Sequence, residues 1–231
     1  MFDVRIESGK LERALEPLFA LSEDCIIEAT DNGLTIPVSD EANVASAVVE
    51  LKADAFTSFE VSEQRFGLSL NQLKDILDNI DKSTEVEINL DNEINALYIS
   101  AGGQDYRLGL IDMDGISRPP KSLDVEYNTV VEIDTKKFDS AVSGADIFSD
   151  QIEFKSGQEG QSLVIKGEGD TNMAKRKIDA DDAAEVTIGQ ANSRFDLSYL
   201  IDLNKSLPAG VPVQMKLGED RPLKIEYNIA D

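Results

Sequence analysis

The sequence predicts an α+β protein built twice on one plan, each copy a domain of antiparallel strands carrying two helices. Three observations predict it. Apolar stripes with helical spacing recur at a constant separation of 127 residues. Short alternating segments bounded by turn residues fill the chain between the stripes. A stretch with Pro119 and Pro120 and no periodicity separates the halves.

The first stripe is Leu11, Ala14, Leu15 and Leu18, and its counterpart is Phe138, Ala141, Val142 and Ala145. Both follow the i, i+3, i+4, i+7 spacing of a helix with one buried face. An alternating strand precedes each, at residues 4–8 and 131–135, and Ser8 and Thr135 are the expected N-caps. A second pair keeps the offset: Leu70, Leu73 and Ile76 match Leu197, Leu200 and Leu203, with Ser69 and Asp196 as caps. Two helices in register favour duplication over coincidence.

Alternation predicts strands in the first half at 24–30, 34–38, 44–51, 65–68, 84–90, 94–101 and 106–111. In the second half it predicts 151–155, 162–166, 172–178, 185–188, 211–217 and 223–229. Turns come from Asp31-Asn32-Gly33, Asp91-Asn92 and Gly102-Gly103. The expected division is residues 1–112, a connector at 113–127, and residues 128–231. The second half stops where the first continues with the strand at 106–111. The chain therefore reads as lacking its final strand and as cut short. It is expected to leave residues 44–51 as an open, largely apolar edge.

Composition narrows the function. Hydrophobic residues make up 41% of the 231, enough for a sizeable core. No apolar run approaches the ~20 residues of a membrane helix, and the N-terminus lacks the pattern of a signal peptide. The one cysteine, Cys25, sits beside Ile26 and Ile27 and reads as a buried thiol of a cytosolic protein. Asp and Glu number 45 against 22 Lys and Arg, a net charge of −23. Alone, that argues against nucleic acid. The acids are dispersed among patterned apolar positions, which argues against disorder and for a surface adapted to high salt. At molar salt the Debye length is ~3 Å, so self-repulsion is screened.

Catalytic patterns are missing. There is no histidine, hence no His base and no Cys–His nucleophile. Gly167-Glu168-Gly169-Asp170 lacks the Gly-Lys-Ser/Thr of a phosphate loop. Asp112-Met113-Asp114-Gly115 has its glycine too early for a calcium loop, and residues 179–182 read as a solvated acidic turn. No metal or cofactor is expected. These features leave an acidic interaction module or, more weakly, a metal-dependent carboxylate enzyme.

Four motifs then bear on family. Asp40-Glu41-Ala42-Asn43-Val44 is similar to the Asp-x-x-His/Asn-Val loop of the proliferating cell nuclear antigen family. Tyr106-Arg107-Leu108-Gly109-Leu110-Ile111-Asp112 resembles the strand entering its interdomain connector. Gly167-Glu168-Gly169-Asp170 resembles its Gly-Glu-Gly-Asp turn, and residues 221–231 resemble its Pro-Leu-x-x-Glu-Tyr-x-Ile-Ala-Asp/Glu segment. The set runs in order along the whole chain, and the acidity points to a haloarchaeal-like member.

The resemblance implies a duplicated DNA-clamp fold with antiparallel sheets outside and two helices per domain inside. It implies a head-to-tail homotrimeric ring that encircles double-stranded DNA without reading sequence and has no enzymatic activity. Polymerase, clamp loader, ligase and nuclease clients would dock through a short peptide motif in an archaeal cytoplasm. Phosphate contacts would come from Lys10, Arg13, Lys74, Lys82, Lys136, Lys137 and Lys205, among eight acids on the same stretches. The client groove would use Ser39, Asp40, Ala42, Asn43 and Val44, with Ile116, Leu123 and Val125 of the connector, over Pro222 and Leu223. The subunit joint would pair Tyr106, Arg107, Leu108 and Leu110 with Lys175, Arg176, Lys177 and Ile178.

Overall fold

The computed structural model describes residues 1–119, 125–157, 162–179, 183 and 185–229. The chain divides into two compact units, residues 1–121 and 122–229. The first runs β1 (Phe2–Glu7), α1 (Ser8–Phe19), β2 (Asp24–Thr30), β3 (Gly33–Ser39), β4 (Ser46–Lys52), β5 (Ser58–Val61), β6 (Gln64–Ser69), α2 (Leu70–Asp78), β7 (Glu85–Asp91), β8 (Ala96–Ala101) and β9 (Gln104–Gly109). Its strands form two antiparallel sheets, β5-β1-β7-β8-β9 and β4-β3-β2-β6.

The second unit runs β10 (Thr129–Asp134), α3 (Thr135–Asp146), β11 (Gln151–Ser156), β12 (Ser162–Glu168), β13 (Met173–Asp179), β14 (Glu185–Ile188), β15 (Ala191–Asp196), α4 (Leu197–Ser206), β16 (Pro212–Leu217) and β17 (Lys224–Glu226). Its sheets are β14-β10-β16-β17 and β13-β12-β11-β15, the same order except that among the described residues β9 has no counterpart. Strand β1 begins 127 residues before β10, α1 before α3, β4 before β13 and α2 before α4. The duplication is thus held at the level of whole elements.

Each unit buries its helix stripe against both of its sheets. In the first, Leu11 and Leu15 of α1 meet Val4, Ile27, Ile36, Leu68 and Ile99 around a cavity of about 30 Å³. In the second, Phe138, Ala141, Val142 and Ala145 pack with Ile152, Phe154, Ile165 and Met215. A fully buried side chain of this size contributes roughly 1.5–3 kcal/mol.

The helix starts differ from expectation. Ser8 and Thr135 are not caps but the first helical residues, and both are buried. The cap positions are Glu7 and Asp134. At α1 the free amides are satisfied by backbone: Ser8 N–H donates to Thr84 O and Gly9 N–H to Lys82 O, both at 2.9 Å. At α3 the Asp134 side chain accepts from Lys136 N–H at 2.7 Å. Ser69 holds the cap position of α2 without a side-chain hydrogen bond, whereas Asp196 accepts from Ser198 N–H at 2.9 Å. In the second helix of each unit Ile76 and Leu203 are only partly buried, and Leu77 fills the first core instead.

Several strands shift. The strand expected at 106–111 ends at Gly109, because Ile111 leaves to bridge Gly67 on the other sheet of its unit. The strand expected at 44–51 is Ser46–Lys52, so Val44 belongs to a loop. On that edge Val49 and Leu51 turn inward and are buried, while Val44 (69%) and Val48 (55%) are exposed. The strand expected at 223–229 is confined to Lys224–Glu226. Strands β5 and β15 carried no alternating signal. Residues 113–115 form a 3-10 turn, with Asp112 accepting from Asp114 N–H at 3.0 Å. Leu123 and residues 180–182 lie outside the described residues. No helix among the described residues is long and apolar enough to cross a membrane.

Candidate nucleic-acid and partner interfaces

The best-defined candidate is the loop between β3 and β4. Asp40 Oδ1 accepts from Val44 N–H at 2.8 Å and Ala45 N–H at 2.9 Å. Asp40 N–H donates to Ala45 O and Asn43 N–H to Asp40 O, both at 3.0 Å. Asn43 takes a φ of 55°, a left-handed conformation asparagine tolerates better than most residues. One carboxylate thus fixes the loop and leaves Ala42, Asn43 and Val44 exposed, while Ser39 behind them is buried. Ile116 lies in the same unit, its Cδ1 about 3.2 Å from where a Cβ on Gly67 would sit.

The remaining groove candidates belong to the second unit. Val125 is half-buried, Pro222 is exposed, and Leu223 packs against that unit's core. The turn leading to Pro222 is held by Ser193, a residue the sequence did not single out. Its Oγ donates to Gly218 O at 2.9 Å and accepts from Arg221 N–H at 3.2 Å. A buried serine in a strand looks like a gap in the alternation, so its role was not visible.

The joint candidates split by side-chain direction. Strands β9 and β13 each lie at the edge of a sheet, with one row of backbone groups unpaired among the described residues. Leu108 and Ile178 are buried in their own cores, so at a joint they offer backbone only. Leu110 lies beyond the end of β9. Tyr106 is half-buried, its hydroxyl donating to Gln104, and Arg107 is exposed. The run 175–177 does not act as one cluster: Arg176 turns to α3 and donates to Ser140 Oγ at 2.9 Å, while Lys177 pairs with Asp179 at 2.6 Å.

The helix cations are also unequal. Lys74 pairs with Asp78 at 3.1 Å, Lys205 pairs with Asp202 at 2.9 Å, and Lys82 reaches both Glu12 and, at 3.9 Å, Asp78. The Asp78 hydrogen bond holds the Lys74 ammonium above its ordinary pKa. Lys10, Arg13 and Lys136 have no such pair among the described residues, and Arg13 and Lys136 are exposed. Among the described residues no three Cys, Asp or Glu side chains are grouped as a metal site requires.

Both halves match one family. Residues 1–114 match the model described as proliferating cell nuclear antigen, N-terminal domain, and residues 121–231 the model described as its C-terminal domain. The chain belongs to the proliferating cell nuclear antigen family. It is 35% identical over 231 residues to a protein of Natronomonas pharaonis named DNA polymerase sliding clamp, covering 100% of this chain and 94% of that one. A protein of the same name from Haloarcula marismortui is 33% identical with the same coverage. Among solved structures, A. fulgidus PCNA bound to the C-terminal region of FEN-1 superposes with a TM-score of 0.92 at 26% identity, over 98% of this chain and 92% of that one. The PCNA of Thermococcus kodakaraensis, at 21% identity and a TM-score of 0.87, shares the fold. The PCNA-type chain is thus a sliding-clamp subunit, a processivity factor and not an enzyme.

Proposed function

We propose that three copies of the chain close head to tail into a ring around duplex DNA and tether a polymerase, a clamp loader, and ligase and nuclease clients. Family membership over both halves is the observation that carries this reading. Ring closure pairs the free edge of β9 with the free edge of β13 on the next subunit, a heterologous contact whose rotation closes. The helices face the DNA, and Lys10, Arg13 and Lys136 make the phosphate contacts most readily, since Lys74, Lys82 and Lys205 are engaged with carboxylates. Clients dock on the loop 39–44, the connector at 113–127 and the segment at Pro222–Leu223. A nuclease client fits the FEN-1 segment carried by the A. fulgidus protein. The ring works in the cytoplasm, on the nucleoid.

The deciding experiment measures mass by sedimentation together with polymerase processivity on primed circular DNA. A trimer that raises processivity after loading supports the reading. A monomer at every salt and protein concentration, or a trimer without effect on the polymerase, overturns it.

A further inference from the structure

The two repeats share strand order but not the chemistry of one sheet face. In the first unit the face of β4-β3-β2-β6 turned away from the helices carries Val48 paired with Pro37, and Ile26 paired with Gly67. The chain itself crosses that face. Ile111 bridges Gly67, and a Cβ at residue 67 would lie 2.5 Å from Ile111 O and 3.2 Å from Ile116 Cδ1. Glycine is what lets the crossing segment touch the sheet. Ile26 is consequently fully buried although it points away from the core.

In the second unit the same four places hold Lys175 paired with Lys166, and Glu153 paired with Arg194. The next row changes in the same sense: Glu50 and Glu28 of the first unit give way to Lys177 and Lys155. Five of the chain's 22 cations therefore share one four-stranded face whose two central rows hold a single acid, Glu153, in a chain with 45 acids. Glu168 holds Lys166 at 2.5 Å from the flanking row, while Arg194 is 61% exposed and only loosely placed toward Glu153 at 3.9 Å. Between them lies a shallow depression of about 90 Å³ lined by Ser149, Gln151, Glu153, Lys166, Glu168 and Arg194.

We propose that this face is a second docking surface, distinct from the client loop, for an extended acidic polypeptide segment of a partner protein. The first unit shows that the fold accepts a chain segment across this face. Arg194 in place of glycine keeps such a segment off the backbone, so it is held by side chains. An extended chain presents alternate residues to one side, so carboxylates two apart meet the lysine and arginine rows. Arg194 suits a carboxylate, which its planar fork binds through two hydrogen bonds. A continuous phosphate backbone fits less well, because Glu153, Glu168 and Asp196 interrupt the cations.

The test uses a fluorescein-labelled decapeptide of alternating glutamate and serine, with binding to the intact protein followed by fluorescence anisotropy across a salt series. Wild type is expected to bind, and Lys155→Gln/Lys166→Gln/Arg194→Gln to lose at least tenfold in affinity. A variant removing three cations elsewhere, Arg5→Gln/Lys52→Gln/Arg65→Gln, should bind as wild type does. If the triple face variant misfolds by circular dichroism, Arg194→Glu alone serves, since that side chain is exposed. The proposal is overturned if wild type does not bind or if the face variants bind equally. It is also overturned if a single-stranded ten-nucleotide DNA displaces the peptide at equal concentration.

Discussion

Arg176 and Ser140 join the edge strand β13 to helix α3 through an Nη1–Oγ hydrogen bond of 2.9 Å. The middle cation of the 175–177 run is therefore committed within its own unit, and Lys175 and Lys177 project from the opposite face. At the proposed joint the two lysines supply the charge and Arg176 steadies the strand. Lys175→Glu/Lys177→Glu is expected to shift trimers to monomers in sedimentation at micromolar protein. Arg176→Ala should weaken assembly less, with a change in unfolding free energy of about 1 kcal/mol or below. A double reversal that leaves the mass unchanged on dilution would remove the lysines from the joint.

Asp40 is the post on which the proposed client loop hangs. Asp40→Ala removes the acceptor for the Val44 and Ala45 amides, which then turn to water. Unit stability should fall by only ~1 kcal/mol, because these groups are at the surface. Affinity for a client-type peptide, read by calorimetry, should fall at least tenfold, since the exposed residues 42–44 lose their fixed arrangement. Unaltered affinity would mean that the loop is not part of the groove.

Among the helix cations, loss of DNA retention should follow the absence of an internal pair. Lys10→Ala, Arg13→Ala and Lys136→Ala together are expected to shorten the dwell time of a loaded ring and flatten its salt dependence. Lys74→Ala and Lys205→Ala should cost less, because those charges are already met by Asp78 and Asp202. Equal effects from both sets would show that exposed ion pairs open freely near phosphate, as weak surface pairs do.

Helix starts offer a sharp contrast. Asp134→Ala should destabilise the second unit by about 1 kcal/mol in chemical denaturation. Ser8 Oγ is buried without a hydrogen-bond partner, so Ser8→Ala should be neutral or stabilising. At α4 the Ser198 hydrogen bonds hold the Asp196 carboxyl below the usual carboxylate range. Its contribution is therefore present at neutral pH and lost as pH falls through that lowered value. The Asp196→Asn variant should lack this acid-side loss.

Cys25 makes an alkaline prediction. Burial, helped by the neighbouring Asp24 charge, pushes its thiol from 9.0 up to about 12. The unfolded thiol ionises first, so stability should fall as pH rises from about 9 towards 12. A Cys25→Ala variant, though less stable overall, should show a smaller drop across that window. The native thiol should react with thiol reagents only as fast as the unit unfolds. Rapid native labelling would contradict the burial.

What the sequence made legible was set by periodicity. The stripes of α1 and α3 and the constant offset were readable because buried aliphatic and aromatic residues dominate them. Strand β15 was not, because its inward face is Ala191, Ser193 and Phe195, and a serine that anchors the turn at Gly218 breaks the alternation. The caps at Ser8 and Thr135 were misplaced by one residue, since strand and helix join without a gap and the orphan amides of α1 find backbone partners on the 82–84 loop. Leu108 and Ile178 were visible as strand residues, but which face they show depends on register, and register put both inside.

The two repeats differ where β3 turns into β4. Six residues, 40–45, make that connection, whereas only four, 169–172, join β12 to β13. The shorter turn closes with a hydrogen bond from Gly169 N–H to Asn172 O at 2.9 Å and, among the described residues, has no counterpart of the Asp40 carboxylate bracket. With the client loop placed on the longer turn, a ring of three subunits carries three tethering points rather than six. Saturation of the proposed ring with client peptide is then expected at one per chain, a stoichiometry that would follow from a two-residue difference between repeats.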